Sequence, residues 1–181
     1  DRAGGVYATD TRAGLVFRLD SLNGTLMPFA DPGGSGRPNG IDLAPDGRPL
    51  YVALGSAIGV IDLLDGTKTL LQFPPEVQPA TIDGLYAYRS SLVAVQPGDS
   101  TGRAVVQYHL SEDRRSMLRA DVLVRQLAPV EQPTTGVVVG DTLYFVANSQ
   151  LQRYRRLYAA DRRTLRTDLD PIHIMKVALT A

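Results

Sequence analysis

The residues with the greatest potential for chemistry are oxygen-bearing side chains that stand one or two positions before glycines at the start of apolar segments. The set consists of Asn39, Asp83, Thr134 and Thr135. Carboxylate and amide oxygens are ligands of hard cations such as Ca²⁺, which takes about six to eight of them. Asn-Gly and Asp-Gly pairs also form turns, so a purely structural role is the alternative for Asn39 and Asp83. For the two threonines the alternatives are substrate contact and a plain role at the start of a strand.

Several other chemistries are excluded by what the sequence lacks. The chain has no cysteine, which rules out disulfides, thiolate metal sites and a cysteine nucleophile. No Gly-x-Ser-x-Gly segment occurs, so the sequence predicts no serine nucleophile on a strand-to-helix turn. The two histidines are His109 and His173. Alternation along its strand predicts that His109 faces the surface.

Charge and hydropathy limit the partners. Among 181 residues, 19 Lys and Arg balance 19 Asp and Glu, so no overall field attracts nucleic acid or an anionic membrane. The arginines between positions 153 and 166 are interrupted by Asp161 and followed by Asp168 and Asp170, which predicts a solvated segment rather than a binding surface. No apolar run is long enough to span a bilayer. We therefore expect a soluble protein, cytoplasmic or exported, without a nucleic-acid or membrane partner. The preference for arginine, with lysine only at positions 68 and 176, is typical of a bacterial protein.

Internal repeats organise the chain. The segment Leu19-Asp20-Ser21-Leu22-Asn23-Gly24-Thr25 matches Ile61-Asp62-Leu63-Leu64-Asp65-Gly66-Thr67 at an offset of 42 residues. In each segment an Asn-Gly or Asp-Gly pair supplies the positive φ angles of a two-residue hairpin turn, between runs of alternating apolar residues. The repeated turn chemistry predicts repeated hairpins.

A second repeated element is a glycine followed by an apolar strand, a turn and a further strand with an aromatic or β-branched residue. It begins at Gly40, Gly84 and Gly136, at spacings of 44 and 52 residues. Propeller blades recur every ~40 to 50 residues, because each contains four short strands and their turns. The sequence therefore predicts an all-β protein, a β-propeller of four-stranded blades.

The template also predicts how the blades divide the chain. Gly5-Val6-Tyr7-Ala8-Thr9-Asp10 matches the second strand of the repeat, so the first strand of that blade would precede residue 1. We expect a single propeller domain over 1–181, truncated at its N-terminus, with blade remnants 1–31, 38–75, 82–126 and 133–181. Closed rings have ~4 to 8 blades, so missing N-terminal blades or another chain would close this one. The segment from 150 to 169 suits either an elaborated loop or a short helix.

Three groups of residues carry a family resemblance. They are Arg37-Pro38-Asn39-Gly40-Ile41 with Ala44-Pro45-Asp46-Gly47 and Leu50-Tyr51-Val52; Ile82-Asp83-Gly84-Leu85; and Gln132-Pro133-Thr134-Thr135 with Asp141-Thr142-Leu143-Tyr144. In this order they resemble blades four, five and six of the regucalcin and gluconolactonase (lactonohydrolase-like) family of six-bladed propellers. The resemblance implies that the chain holds the last three and a half blades of a six-bladed ring.

The resemblance also implies a metal site. In that family a divalent cation, usually calcium, lies in the central tunnel, held by an Asn and an Asp from successive blades and by an acidic residue of the first blade. The matching positions make Asn39 and Asp83 the metal ligands, with Asp83 also the catalytic base. The first-blade carboxylate has no counterpart in this chain. The implied cofactor is a divalent metal, Ca²⁺.

The expected function is metal-dependent hydrolysis of lactones or related esters. The cation would polarise the carbonyl group or the attacking water, and the substrate would be a small molecule. Thr134 and Thr135 are candidates for substrate contact, and so is Asn148, which follows a strong strand and is expected to face the rim. The alternative is a non-catalytic propeller that binds a small ligand or a protein partner, because a fold alone does not confer activity.

Overall fold

A computed structural model describes residues 1–20, 22–33, 37–77, 80–98, 102–126, 128, 130–160 and 169–180, with backbone only for 158–160. The chain is almost entirely β-structure. Its strands are β1 (Tyr7–Asp10), β2 (Leu15–Leu19), β3 (Leu26–Ala30), β4 (Pro38–Leu43), β5 (Pro49–Leu54), β6 (Ala57–Asp62), β7 (Lys68–Leu70), β8 (Gly84–Tyr88), β9 (Ser91–Val95), β10 (Arg103–Leu110), β11 (Met117–Arg125), β12 (Gly136–Val139), β13 (Thr142–Val146) and β14 (Ile174–Ala178). One helix, α1 (Leu151–Ala160), lies between β13 and β14.

The strands form four antiparallel sheets, which are numbered here in chain order. Sheet 2 (β4–β7) and sheet 3 (β8–β11) each have four strands, paired in sequence order. Sheet 1 (β1–β3) and sheet 4 (β12–β14) each have three. The prediction of propeller blades is confirmed, with three strands rather than four in the two end blades. Within the part of the chain that the structure describes, the sheets do not close into a ring.

The apolar core lies between the sheets, in one layer at each blade interface. Sheets 1 and 2 meet around Val16 and Leu50, sheets 2 and 3 around Tyr51 and Tyr108, and sheets 3 and 4 around Phe145. The two middle sheets are covered on both faces, so their inner strands β5, β6 and β9 are almost wholly buried. The end sheets leave apolar side chains exposed, including Val6, Met27, Val137, Val139 and Ile174.

Covering both faces of the middle sheets corrects one prediction. His109 does not face the surface, because its side chain is only 12% exposed and its Nε2 lies 2.9 Å from Asp121 Oδ2. Alternation along β10 places His109 and Tyr108 on opposite faces, but both faces of sheet 3 are covered by neighbouring blades. Period-two alternation predicts which face a residue shares and cannot tell whether that face is covered.

The repeated hairpin corners are present, in a longer form than predicted. The Asp62 N–H donates to Thr67 O at 2.9 Å, which leaves four residues in the loop instead of two. Gly66 has φ of 73°, a conformation that favours glycine. Asp62 Oδ1 also accepts the Leu64 N–H at 3.0 Å, and this aspartate contact tightens the corner. The matching corner before Thr25 closes in the same way, through the Asp20 N–H.

The segment after β13 resolves the open choice between loop and helix in favour of a helix. Helix α1 is exposed on its first six residues, and Arg153 Nη1 pairs with Asp170 Oδ2 at 2.8 Å. Arginines 162, 163 and 166 of the predicted solvated segment lie outside the described residues. No helix in the described part of the chain has the length and apolar character needed to cross a membrane.

Candidate functional site

A cavity of about 210 Å³ lies where three neighbouring sheets begin. It is lined by Asn39, Gly40, Ile41, Asp83, Gly84, Leu85, Tyr86, Thr134 and Thr135. Strands β4, β8 and β12 are each the first strand of their sheets, and β8 contacts both of the others. Residues 44 and 51 positions apart in sequence therefore meet at one place. The structure brings together four of the five residues that the sequence singled out.

Asp83 is the centre of this cavity. One carboxylate oxygen accepts a hydrogen bond from the Asn39 amide, and the other accepts one from the Thr134 hydroxyl. The three side chains come from three successive blades. Asp83 is half-buried and Asn39 is exposed, so the cluster faces open space and not the core. Asp83 carries the one carboxylate among the residues lining the cavity.

Two glycines allow the blades to approach closely here. A Cβ atom on Gly40 would lie 2.4 Å from Leu85 N, and one on Gly84 would lie 2.9 Å from Thr134 O. Both distances are shorter than real contacts of a Cβ atom, so neither position accepts a side chain without movement of the neighbouring backbone. Glycine is needed here because each blade begins against the backbone of the next one.

Asn39 is presented by an irregularity in β4. Pro38 pairs with Leu54 and Ile41 with Val52, so the register shifts between them and leaves the intervening residues out of the regular ladder. Bulges of this kind re-aim side chains and are frequent beside functional sites. Sheet 1 supports the bulge, since the Thr9 hydroxyl donates to Asn39 O at 2.7 Å.

Tyr86 is a lining residue that the sequence interpretation missed. Its hydroxyl oxygen accepts the Gly136 N–H at 2.5 Å and lies 3.2 Å from Thr135 Oγ1. Asp42 occupies the same repeat position one blade earlier and also reaches forward, accepting the Ala87 N–H at 2.8 Å. Burial raises the pKa of the Asp42 carboxyl. The sequence signal that could have identified Tyr86 is its position two residues after Gly84, because residues two apart share a face of a strand.

Asn148 does not line the cavity. Its amide nitrogen donates to Pro171 O at 2.9 Å, and its amide oxygen accepts the His173 N–H at 2.6 Å. The side chain is buried, and these bonds fix the segment that leads into β14. A substrate contact by Asn148 stays a prediction for which the geometry gives no support.

The donor chemistry of the cavity suits a hard cation, although the set is incomplete. Asp83, Asn39 and Thr134 offer carboxylate, amide and hydroxyl oxygens, the donor types that calcium takes. The described residues contain no group of three or more His, Cys, Asp and Glu side chains placed to hold a metal. A calcium ion would therefore need water and groups from outside these residues to complete about six to eight ligands.

A larger cavity, of about 450 Å³, lies between sheet 2 and the tip of the β10–β11 hairpin. Two ion pairs line it: Arg48 Nη2 lies 2.8 Å from Asp62 Oδ2, and Arg114 Nη1 lies 2.5 Å from Asp46 Oδ2. The hydrogen bond from Arg48 lowers the pKa of Asp62. Burial raises the pKa of neighbouring Tyr51 to about 12. The ion pair between Arg114 and Asp46 joins two blades, which indicates a structural role.

Comparison with known proteins supports the fold. No family model and no curated protein matches the chain. Among solved structures it is similar to a luciferin-regenerating enzyme (16% identity, TM-score 0.58, covering 91% of this chain and 51% of that one). It is also similar to virginiamycin B lyase from Staphylococcus aureus, in a structure with quinupristin (19% identity, TM-score 0.57, covering 80% of this chain and 45% of that one). A chain of the nidogen/laminin complex is a third (15% identity, TM-score 0.55, covering 78% of this chain and 52% of that one).

These neighbours are β-propeller proteins, and this chain is part of a β-propeller. It spans about half the length of each of them. At such low identity the similarity establishes the fold alone.

Proposed function

We propose that this chain carries part of the active site of a metal-dependent hydrolase that opens lactones or cleaves related esters, as in the regucalcin and gluconolactonase family. The observation that carries the proposal is the position of Asp83, with the Asn39 amide on one carboxylate oxygen and the Thr134 hydroxyl on the other. The three residues reach one cavity from three blades. That arrangement agrees with the ligand positions implied by the family motifs.

The proposed ligands of the divalent cation, Ca²⁺, are Asp83 and Asn39. A bound cation supplies polarisation of the substrate carbonyl and a lower pKa for bound water. Asp83 takes the proton of the attacking water as general base. Asn39 and Thr134 hold the carboxylate in one orientation, so that its remaining lone pairs face the cavity. The cavity is small, which favours a small-molecule substrate.

The experiment that tests the metal site is calcium titration by calorimetry on the full-length protein. Asn39→Ala and Asp83→Ala are each expected to weaken calcium binding at least tenfold. Asn23→Ala and Asp65→Ala are the matched controls, since both residues lie in hairpin corners outside the cavity, where Asn23 Oδ1 accepts the Thr25 N–H and Asp65 Oδ1 accepts the Thr67 N–H. Absence of calcium binding to the wild type would contradict the proposed metal site, and with it the hydrolase proposal.

The hydrolysis itself is tested by proton release from γ- and δ-lactones and from aryl esters in the presence of calcium. Loss of turnover in Asp83→Ala and its retention in Asp65→Ala is the expected pattern. Calcium binding without turnover on any of these substrates would favour the second candidate, a non-catalytic propeller that binds a small ligand or a protein partner. The observation favouring that candidate is the single carboxylate in the cavity.

The proposal includes further blades that complete the ring, from the same protein or from another chain. The end sheets support this, because Val6 and Leu26 on one face of sheet 1 and Val137 and Val139 on one face of sheet 4 are each more than half exposed. Contiguous apolar faces of this kind pack against a neighbour in a closed propeller. The additional blades are also where the remaining metal ligands would reside.

A further inference from the structure

The hydroxyl groups of Tyr86 and Thr135 form a part of the cavity wall to which the proposed function assigns no role. Tyr86 is half-buried and Thr135 is exposed. Their oxygens lie 3.2 Å apart, and both residues line the cavity that contains Asp83. The distribution of protons among these groups determines what they can offer to a ligand.

The protons nearest Asp83 already take part in hydrogen bonds. The Thr134 hydroxyl and one N–H of the Asn39 amide both donate to its carboxylate. Tyr86 differs, because its oxygen accepts the Gly136 N–H and so uses a lone pair, not its proton. Tyr86 and Thr135 each carry one hydroxyl proton, and the hydrogen bond between them uses only one of the two. One O–H of the pair is therefore left to donate into the cavity.

The position of the Tyr86 hydroxyl is fixed by its surroundings. The Gly136 N–H holds it from the next blade at 2.5 Å. On the other side, a Cβ atom on Gly84 would lie 2.7 Å from the Tyr86 hydroxyl oxygen, so the glycine leaves room for it directly over the backbone. A donor held in this way needs no reorganisation when charge develops beside it, which is the condition for electrostatic stabilisation of a transition state.

We infer that Tyr86 donates a hydrogen bond to the carbonyl oxygen of the substrate, with Thr135 as the neighbour that shares its proton when no substrate is bound. The inference rests on the proposed function. It adds to it a donor for the carbonyl oxygen beside the base Asp83. The ligand class is a neutral carbonyl compound, a lactone or an ester.

The reaction step balances with these residues. The water oxygen bonds to the carbonyl carbon, the water proton passes to Asp83, and the carbonyl π pair moves onto the oxygen that faces Tyr86. Tyr86 stabilises this negative charge through its hydrogen bond and keeps its proton. The electron pair on that oxygen then re-forms the carbonyl π bond, the carbon–oxygen ester bond breaks, and the leaving alkoxide takes the proton from Asp83. The product is a hydroxy acid, or an acid and an alcohol.

The test compares Tyr86→Phe with Tyr144→Phe in the full-length protein. Tyr144 lies on β13, outside the cavity, and is the matched control. Loss of one such donor is expected to lower kcat about 10²- to 10³-fold. KM should change less than about threefold, because the bond strengthens mainly as charge develops. Tyr144→Phe should leave both constants unchanged.

Thr135→Val separates this role from a structural one. It removes the partner hydroxyl and leaves the bond between Gly136 and Tyr86 in place, so it should lower kcat much less than Tyr86→Phe does. If Thr135→Val loses more activity than Tyr86→Phe, the donor is Thr135 and the inference is overturned. Thermal unfolding of each variant shows whether loss of the Gly136 acceptor has disturbed the fold.

A binding measurement distinguishes failure of this inference from failure of the proposed function. The probe is δ-valerolactam, which presents a carbonyl oxygen and is not hydrolysed, titrated by NMR. Tyr86→Phe should weaken its binding about tenfold. Should the wild type hydrolyse no lactone or ester, the proposed function fails, and this titration still decides the assignment of Tyr86. Equal affinity in wild type and Tyr86→Phe, or no binding to the wild type, overturns the inference.

Discussion

Replacing Gly40 with alanine is expected to separate the two blades that form the cavity. The new Cβ atom would lie 2.4 Å from Leu85 N and 2.7 Å from Asp83 O, whereas ordinary van der Waals contact begins near 3.4 Å. Backbone atoms cannot rotate away, so the blades must move apart by about 1 Å. Overpacking of this kind costs about 1–3 kcal/mol, and reduced freedom of the unfolded chain returns about 0.5 kcal/mol.

The expected net loss for Gly40→Ala is therefore about 1.5 kcal/mol in the free energy of unfolding, or about 3–6 °C in Tm for a chain of this size. Urea unfolding followed by circular dichroism measures it. Because Asn39 and Asp83 sit on either side of the contact, calcium affinity should fall as well.

Gly66→Ala is the matched control for Gly40→Ala. Gly66 has open space around it and φ of 73°, so alanine there costs about 1 kcal/mol from backbone strain and should leave calcium affinity unchanged. A Gly40→Ala protein within about 0.5 kcal/mol of the wild type, the range of ordinary surface substitutions, would refute the close approach of the blades.

Two carboxylates of sheet 2 are expected to affect stability with opposite dependence on pH. Burial raises the pKa of Asp42, so its contribution is fully present below the unfolded pKa, about 3.9, and is lost as pH rises through the folded value. Urea unfolding should therefore show wild type gaining stability relative to Asp42→Asn as pH falls from 7 towards 3.5, and a difference independent of pH would contradict this. Arg48 lowers the pKa of Asp62, so that contribution is present above about pH 3.9 and is lost as pH falls through the folded value. The stability deficit of Arg48→Met should accordingly be largest near pH 7 and shrink in acid, and a deficit that persists unchanged at pH 3 would argue against the ion pair as its cause.

The candidate site illustrates how far repeat position carries a prediction. Asn39, Asp83 and Thr135 each precede a glycine at the start of a repeated strand, and the structure places all three around one cavity. The roles assigned to them stay predictions. The prediction for Asn148 rests only on its position after a strong strand, and the residue lies elsewhere, bonded to Pro171 and His173. A shared repeat position predicts that residues are neighbours, because equivalent positions in successive blades lie close together in space. A position after a strand carries no such information.

The β-propeller class and the glycines at the strand starts could be read from the sequence, because periodicity and turn chemistry are local properties. Only the tertiary structure decided which faces are covered and which side chains meet. His109 is enclosed because blades pack on both sides of sheet 3. Tyr86 reaches Gly136, fifty residues away in sequence, because the two strands begin side by side. Such contacts depend on how blades stack, which is a long-range property that the residues around either position do not encode.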